Sequence, residues 1–233
     1  MKENEKIKEF AIKKILLTHL LKCEDDSNSY AITEFSIANF TRRVDVFFVK
    51  DDTLHAFEIK SEFDSLNRLE GQISEYLNHF DKVTIVAASK FIPNILLKTP
   101  SNVGIWEIKD TTFKIIRQGR ISRVKDKLTF VRMMTLVELI NLSKKQHLNI
   151  TSRKRIDIEV LVSKLPIYLL RGAAIENIKN RYRKRGGNFY NYSELQTKAI
   201  IKTESKKKNI PAISYEKKLD SFLQAIKAIK DGI

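Results

Sequence analysis

The stretch Arg42–Tyr76, RRVDVFFVKDDTLHAFEIKSEFDSLNRLEGQISEY, decides the fold. Two runs of β-branched and aromatic residues, Val44 to Lys50 and Leu54 to Lys60, stand on either side of Asp51-Asp52. Strand formers around a short polar break read as a β-hairpin. With Asp51 and Asp52 as a two-residue turn, Lys50 pairs with Thr53, Asp45 falls opposite Glu58, and Arg43 falls opposite Lys60. Side chains alternate along a strand, so these four are expected on one face. Both strands are otherwise almost wholly apolar, which places the hairpin inside a buried sheet. Facing carboxylates repel by about 0.2–1 kcal/mol, and burial adds to the penalty. A divalent cation between them reverses the sign, so Asp45 and Glu58 read as a metal site. The bland alternative is a structural ion-pair set, with Arg43 and Lys60 neutralising the two acids.

Downstream, SEFD leads into a helix with Asp64 or Ser65 as its N-cap. Leu66, Leu69, Ile73, Leu77 and Phe80 recur at helical spacing. Gln72 and Tyr76, four apart, occupy one stripe of that helix, and Arg68 shares it. DKVTIVAAS (81–89) is a continuous apolar strand, as in a parallel position covered on both faces. A short helix from Phe91 to Leu97 ends before Thr99-Pro100, and NVGIWEI (102–108) is another buried strand. Upstream, residues 3–22 form an amphipathic helix and 30–37 a strand. This order implies an α/β fold, a mixed central β-sheet flanked by helices.

Residues 111–132 are polar and basic and read as an irregular or β-hairpin extension, with Gly119 as a turn. A helix over 135–146 starts at Thr135. Further helices are expected over 157–165 and 167–184, separated by Pro166, the second stopping at Gly186-Gly187. A last helix falls near 214–230. Composition turns basic near 146–156, so residues 1–150 are expected to form one domain and 151–233 a basic, mainly helical region.

A chain of 233 residues with 42% hydrophobic and 30% charged residues suits one medium domain with an appendage, or two small ones. It has no run of eighteen apolar residues for a membrane span. The opening MKENEKIKEF is too charged for a signal peptide, and a cytoplasmic location is expected. The lone Cys23 excludes an internal disulfide framework and a cysteine-based zinc site. His19, His55, His79 and His147 are scattered without ligand spacing. The net charge is +15, and residues 151–233 carry 19 Lys/Arg against 8 Asp/Glu. Such an excess points to a polyanion, nucleic acid before membrane.

Asp45 followed by Glu58-Ile59-Lys60, on the two strands of a hairpin, resembles the signature of the PD-(D/E)xK nuclease superfamily. Gln72 and Tyr76 on the next helix resemble the QxxxY motif of its RecB-like branch, and the strand Val83 to Ala87 follows as that family's αβββαβ core requires. The run from Arg42 to Val86 also resembles an uncharacterised bacterial and phage family of the superfamily, over about residues 30–110. Val44 stands where a proline is usual, and Glu62 where an aspartate is frequent.

The resemblance implies a restriction-endonuclease-like core in which Asp45, Glu58 and the carbonyl of Ile59 hold one or two Mg²⁺ or Mn²⁺ ions. It implies that Lys60 orients or deprotonates the attacking water or neutralises the phosphate, that Glu34 is a further acid, and that Gln72 and Tyr76 contact phosphate or metal-bound water. Glu34 reads equally as a solvent-facing strand residue, and Gln72 and Tyr76 as helix-surface polarity.

In the basic half, Arg181, Arg183, Lys184 and Arg185 are interleaved with Tyr182 and followed by Phe189, Tyr190 and Tyr192. Arginines for phosphate and aromatics for base stacking suit single-stranded or flexible DNA. The same pattern also reads as helix-end cations facing the dipole, followed by a packed aromatic loop. Arg43 and Arg68 complete the expected nucleic-acid contacts. The function implied is a Mg²⁺-dependent nuclease acting on DNA, with a second copy or partner protein engaged through the C-terminal helices. The alternative is a catalytically degenerate nucleic-acid-binding or adaptor module of a phage, mobile-element or defence system. A third option is an interaction protein of a mobile element that binds neither metal nor DNA.

Overall fold

Asp51 and Asp52 both adopt the left-handed backbone, with φ of 45° and 61°, as a two-residue type I′ hairpin turn requires. The structure is a computed structural model describing residues 8–22, 29–37, 42–109 and 111–191. In it, β2 (Arg42–Lys50) and β3 (Thr53–Lys60) pair antiparallel, from Lys50↔Thr53 to Val46↔Phe57. The register is the expected one. Aspartate tolerates positive φ through local hydrogen bonding, which lets Asp-Asp stand where Asn-Gly is commoner.

Around this hairpin, seven strands among the described residues form one sheet in the order β6-β5-β4-β3-β2-β1-β7. β1 (Tyr30–Ile37) pairs antiparallel with β2, while β4 (Lys82–Ala88) and β5 (Gly104–Lys109) extend the sheet in parallel beyond β3. The mixed sheet flanked by helices is therefore the expected fold class. β6 (Thr112–Arg117) returns antiparallel to β5, the anticipated hairpin extension. Gly119, at φ 72°, passes against Gly104; a Cβ there would lie 2.5 Å from the Gly104 nitrogen.

α1 (Glu9–Lys22) covers one face, packing Ile12, Leu16 and Leu20 on Ala31, Val46, Phe57, Ile59 and Trp106. The other face carries α2 (Leu69–His79), α3 (Ile92–Lys98), α4 (Lys127–Met133), α5 (Leu136–Lys145), α6 (Arg155–Val162) and α7 (Ile167–Arg185). Cover on both faces explains why β3 and β4 are nearly continuous apolar runs. Thr135 and Glu138 form a capping box at the start of α5. Pro166 caps α7, and Gly186 ends it at φ 67°.

Three expectations are corrected. α2 begins at Leu69 with Arg68 as its N-cap; Asp64 instead accepts the Ser61 N–H at 2.8 Å and closes the turn before the helix. α4 lies within a stretch expected to be irregular, because Phe130 and Val131 bury against the sheet and Asp126 caps the helix by accepting the Leu128 N–H. Phe189 and Tyr190 form the short strand β7, which adds to the edge of β1. Ile158, Val162, Leu170, Ala174 and Ile178 join the core built on the sheet, so residues 151–191 share that core. Cys23, Tyr192 and the helix expected near 214–230 lie outside the described residues.

Asp81 ties these layers together. Its carboxylate is fully buried and accepts the Leu54 N–H at 2.8 Å and the Val124 N–H at 2.9 Å, and it is ion-paired with Arg171 of α7. Arg171 also reaches Asp52 of the hairpin turn at 3.0 Å.

Candidate metal centre

In a hairpin whose Lys50 and Thr53 form a hydrogen-bonded pair, every second pair repeats that pattern, so the Ile59 N–H belongs to the Val44 carbonyl. Here the Asp45 carboxylate takes it instead, at 2.7 Å. The ladder between β2 and β3 ends at Val46↔Phe57. Tyr30 and Ile32, then Phe35 and Ile37, all lie in the core facing α2, so the alternation of β1 changes phase at Glu34. β2 changes phase in step, with Phe47 and Val49 followed by Val44. Glu34 has φ 57°, a strain of roughly 1–2 kcal/mol for a residue with a Cβ. The inverted row lies at the two strand acids, Glu34 and Asp45.

Two groups result. Beside α1, carboxylate oxygens of Glu9, Glu34 and Asp45 lie within 4.8 Å of one another. Lys13 bridges Glu9, at 3.1 Å, and Glu34. Arg43 Nε pairs with Glu34 at 2.6 Å. Burial acts to lower the pKa of Lys13, but its bonds to Glu34 and Glu9 win and raise it. Asp45 is pushed up to about 8 by burial and by the charge of Glu58, against the opposing Ile59 N–H.

Beside α2, Glu58 is the hub. Its Oε1 accepts from Lys60 Nζ and from Gln72 Nε2, each at 2.7 Å. Tyr76 places its hydroxyl 2.8 Å from Glu58 Oε2 and 2.8 Å from the Arg43 carbonyl oxygen. Lys60 also donates to Gln72 Oε1 at 3.2 Å. Glu58 is 2% exposed and Lys60 8% exposed. Burial raises the Tyr76 pKa, and the adjacent Glu58 charge adds to it, so the phenol stays protonated and donates.

The expected single face thus holds for Glu58 and Lys60, which meet Gln72 and Tyr76. It is corrected for Asp45 and Arg43, which turn to Glu9 and Glu34 because the pleat inverts at that row. Tyr76, buried, and Gln72, half-buried, are members of the Glu58 network rather than surface polarity. Ile59 presents its N–H to Asp45, and the N–H and C=O of one strand residue point to the same side, so its carbonyl also faces β2. Glu9 and Lys13 were missed: on an amphipathic helix they read as solvated charges, and only folding sets them over β1 and β2.

Of the expected nucleic-acid contacts, Arg68, Arg183, Lys184 and Arg185 are exposed. Arg43, paired with Glu34, is also exposed. Arg181 instead bridges α7 to α5, bonding Glu138 at 2.7 Å and the Met133 carbonyl at 3.1 Å. Phe189 is buried and stacked on Tyr30, and Tyr182 packs on Phe35, so these two rings are core rather than base-stacking platforms. Among the described residues, no helix is long and apolar enough to cross a membrane.

A protein of unknown function from Silicibacter pomeroyi, 16% identical, is similar in structure with a TM-score of 0.40, over 65% of this chain and 99% of the other. At that similarity it adds nothing to the fold described above. Protein cII of Enterobacteria phage P4 is 35% identical over 190 residues, 79% of this chain and 72% of the phage protein. The family model described as bacteriophage P4 protein cII matches residues 2–209, and the chain belongs to that family.

Proposed function

We propose that this chain is a phage or mobile-element module that engages nucleic acid at the Asp45–Glu58 centre, and that the centre hydrolyses phosphodiester bonds with Mg²⁺ or Mn²⁺. One observation carries the hydrolytic half. Lys60, Gln72 and Tyr76 converge on Glu58, joining the residues that the PD-(D/E)xK resemblance picks out. Family membership supports the phage setting.

The carboxylates of Asp45, Glu34 and Glu9, whose oxygens lie within 4.8 Å of one another, fit a hard divalent cation, with Glu58 in the adjoining group beside α2. Bound there, the ion supplies an acidified water and neutralises charge on the phosphate. The chain's own residues do the rest. Gln72 and Tyr76 fix the Glu58 carboxylate, so it meets substrate without reorganising. Lys60, on the same carboxylate, is set to orient the water or neutralise the phosphate.

A second reading keeps the phage module and its nucleic-acid binding but removes hydrolysis, and the comparisons support it better than they support catalysis. One structural observation also favours it: both Glu58 oxygens already have partners, as in a purely structural network. Incubation of the purified chain with single- and double-stranded DNA and RNA, with Mg²⁺ or Mn²⁺, separates the two. Hydrolysis predicts cleavage that Asp45→Ala and Glu58→Ala abolish. Binding unchanged by chelator or by Glu58→Ala, without cleavage, leaves only the second reading.

A further inference from the structure

Two sets of cations with no ion pair among the described residues sit on the elements that border the acid-bearing strands. Arg68 caps α2, its carbonyl accepting the Gln72 N–H at 3.0 Å. Arg42 opens β2, and its Nη2 lies 3.8 Å from where a Cβ on Gly71 would stand. Both are exposed. Across the site, Arg183, Lys184 and Arg185 close α7 and are also exposed. Gly186 and Gly187, with φ of 67° and 74°, then turn the chain back. Asn188 accepts the Thr33 N–H at 3.0 Å, and Phe189 pairs with Ile32. That anchoring sets Asn188, three residues after Arg185, against Thr33, the neighbour of Glu34.

None of these five cations is in an ion pair among the described residues, whereas Arg43 and Arg181 are both engaged by glutamates. A row of acids repels a polyanion unless nearby cations more than offset it. From β3 across β2 and β1 to β7 is three strand spacings, about 14 Å, a span that a short oligonucleotide covers.

We propose that Arg42 and Arg68 on one side, and Arg183, Lys184 and Arg185 on the other, are the two walls of one track for a nucleic-acid backbone that crosses Glu34, Asp45 and Glu58. This rests on the reading of the centre as acting on nucleic acid, and adds where the strand lies and what holds it. The basic C-terminal helix grips at the centre itself, carried there by the pairing of β7 with β1.

The test is fluorescence anisotropy of a short labelled single-stranded DNA, and of its RNA counterpart, with the full chain in chelator across a salt series. Arg42→Ala/Arg68→Ala and Arg183→Ala/Lys184→Ala/Arg185→Ala are compared with wild type. Each set should weaken binding of the same oligonucleotide about tenfold or more and flatten the logarithmic salt slope by about 0.7 per lost contact. Wild-type affinity and slope in either variant overturns the single track. A wild type that binds neither nucleic acid overturns the track and the nucleic-acid reading together. If both sets matter but nothing is cleaved, the track stands and only hydrolysis falls; if cleavage occurs and either set is silent, only the track falls.

Discussion

Asp45 accepts the Ile59 N–H at 2.7 Å, a donor that regular pairing would give to Val44. The carboxylate is held there with its pKa raised to about 8, by burial first and by Glu58 second. An acid whose pKa rises on folding binds more protons folded than unfolded between its two values. Stability without divalent metal therefore falls as pH rises from about 4 to about 8, and levels off beyond. Asn at position 45 can still accept the N–H but carries no charge. Thermal melts in chelator should show that slope flattened in Asp45→Asn, with the variant the more stable at pH 8. Parallel curves for the two proteins would sink this account of Asp45.

Asp81 and Arg171 hold the hairpin turn to α7. Arg171→Met leaves a fully buried carboxylate with only its N–H donors and the exposed Arg123, a loss of about 3–5 kcal/mol. Adding Asp81→Asn removes the stranded charge and should recover part of it. Urea denaturation of the single and double variants measures both, and a double variant no more stable than Arg171→Met contradicts the charge-based cause.

Tyr76→Phe removes the donor shared by Glu58 and the Arg43 carbonyl. A loss of about 1–3 kcal/mol is expected, the cost of a buried acceptor left short of a partner. A hydroxyl that touched only solvent would leave the denaturation midpoint where it was.

Gly119→Ala and Gly71→Ala should move stability in opposite directions. At Gly119 a Cβ meets the Gly104 backbone at 2.5 Å with φ at 72°, so about 2–4 kcal/mol is lost to clash and backbone strain. At Gly71 the nearest atom is Arg42 Nη2 at 3.8 Å, and alanine should add up to about 1 kcal/mol of helix propensity. Calorimetry of the two variants reads the sign directly.

The hairpin register was legible because it follows from two runs of strand formers and a two-residue gap, and strand pairing has no slack at that length. That Gln72, Tyr76 and Lys60 gather on one surface was legible for a similar reason, since i,i+4 and i,i+2 spacing fix which side chains are neighbours. The inverted pleat was not read from the sequence, although the spacing of Tyr30, Ile32, Phe35 and Ile37 carries the phase change that Glu34 makes with a positive φ. Glu9 was hidden because an acid in the first turn of a Lys/Glu-rich helix reads as favourable dipole chemistry. β7 was hidden because a two-residue edge strand has no period, and α4 because LTFVRM sits among cations.

α7 and β7 brace the acid-bearing sheet at two places: Arg171 holds the Asp52 turn, and β7 borders the strand that carries Glu34. A fragment ending at residue 150 would retain every acid of the centre yet lose both fastenings and the stacked Tyr30–Phe189 rings. The two halves are therefore not interchangeable parts. A chimera that imports another C-terminal region must bring an arginine that reaches Asp52 and Asp81, or the hairpin it inherits will fray from the turn.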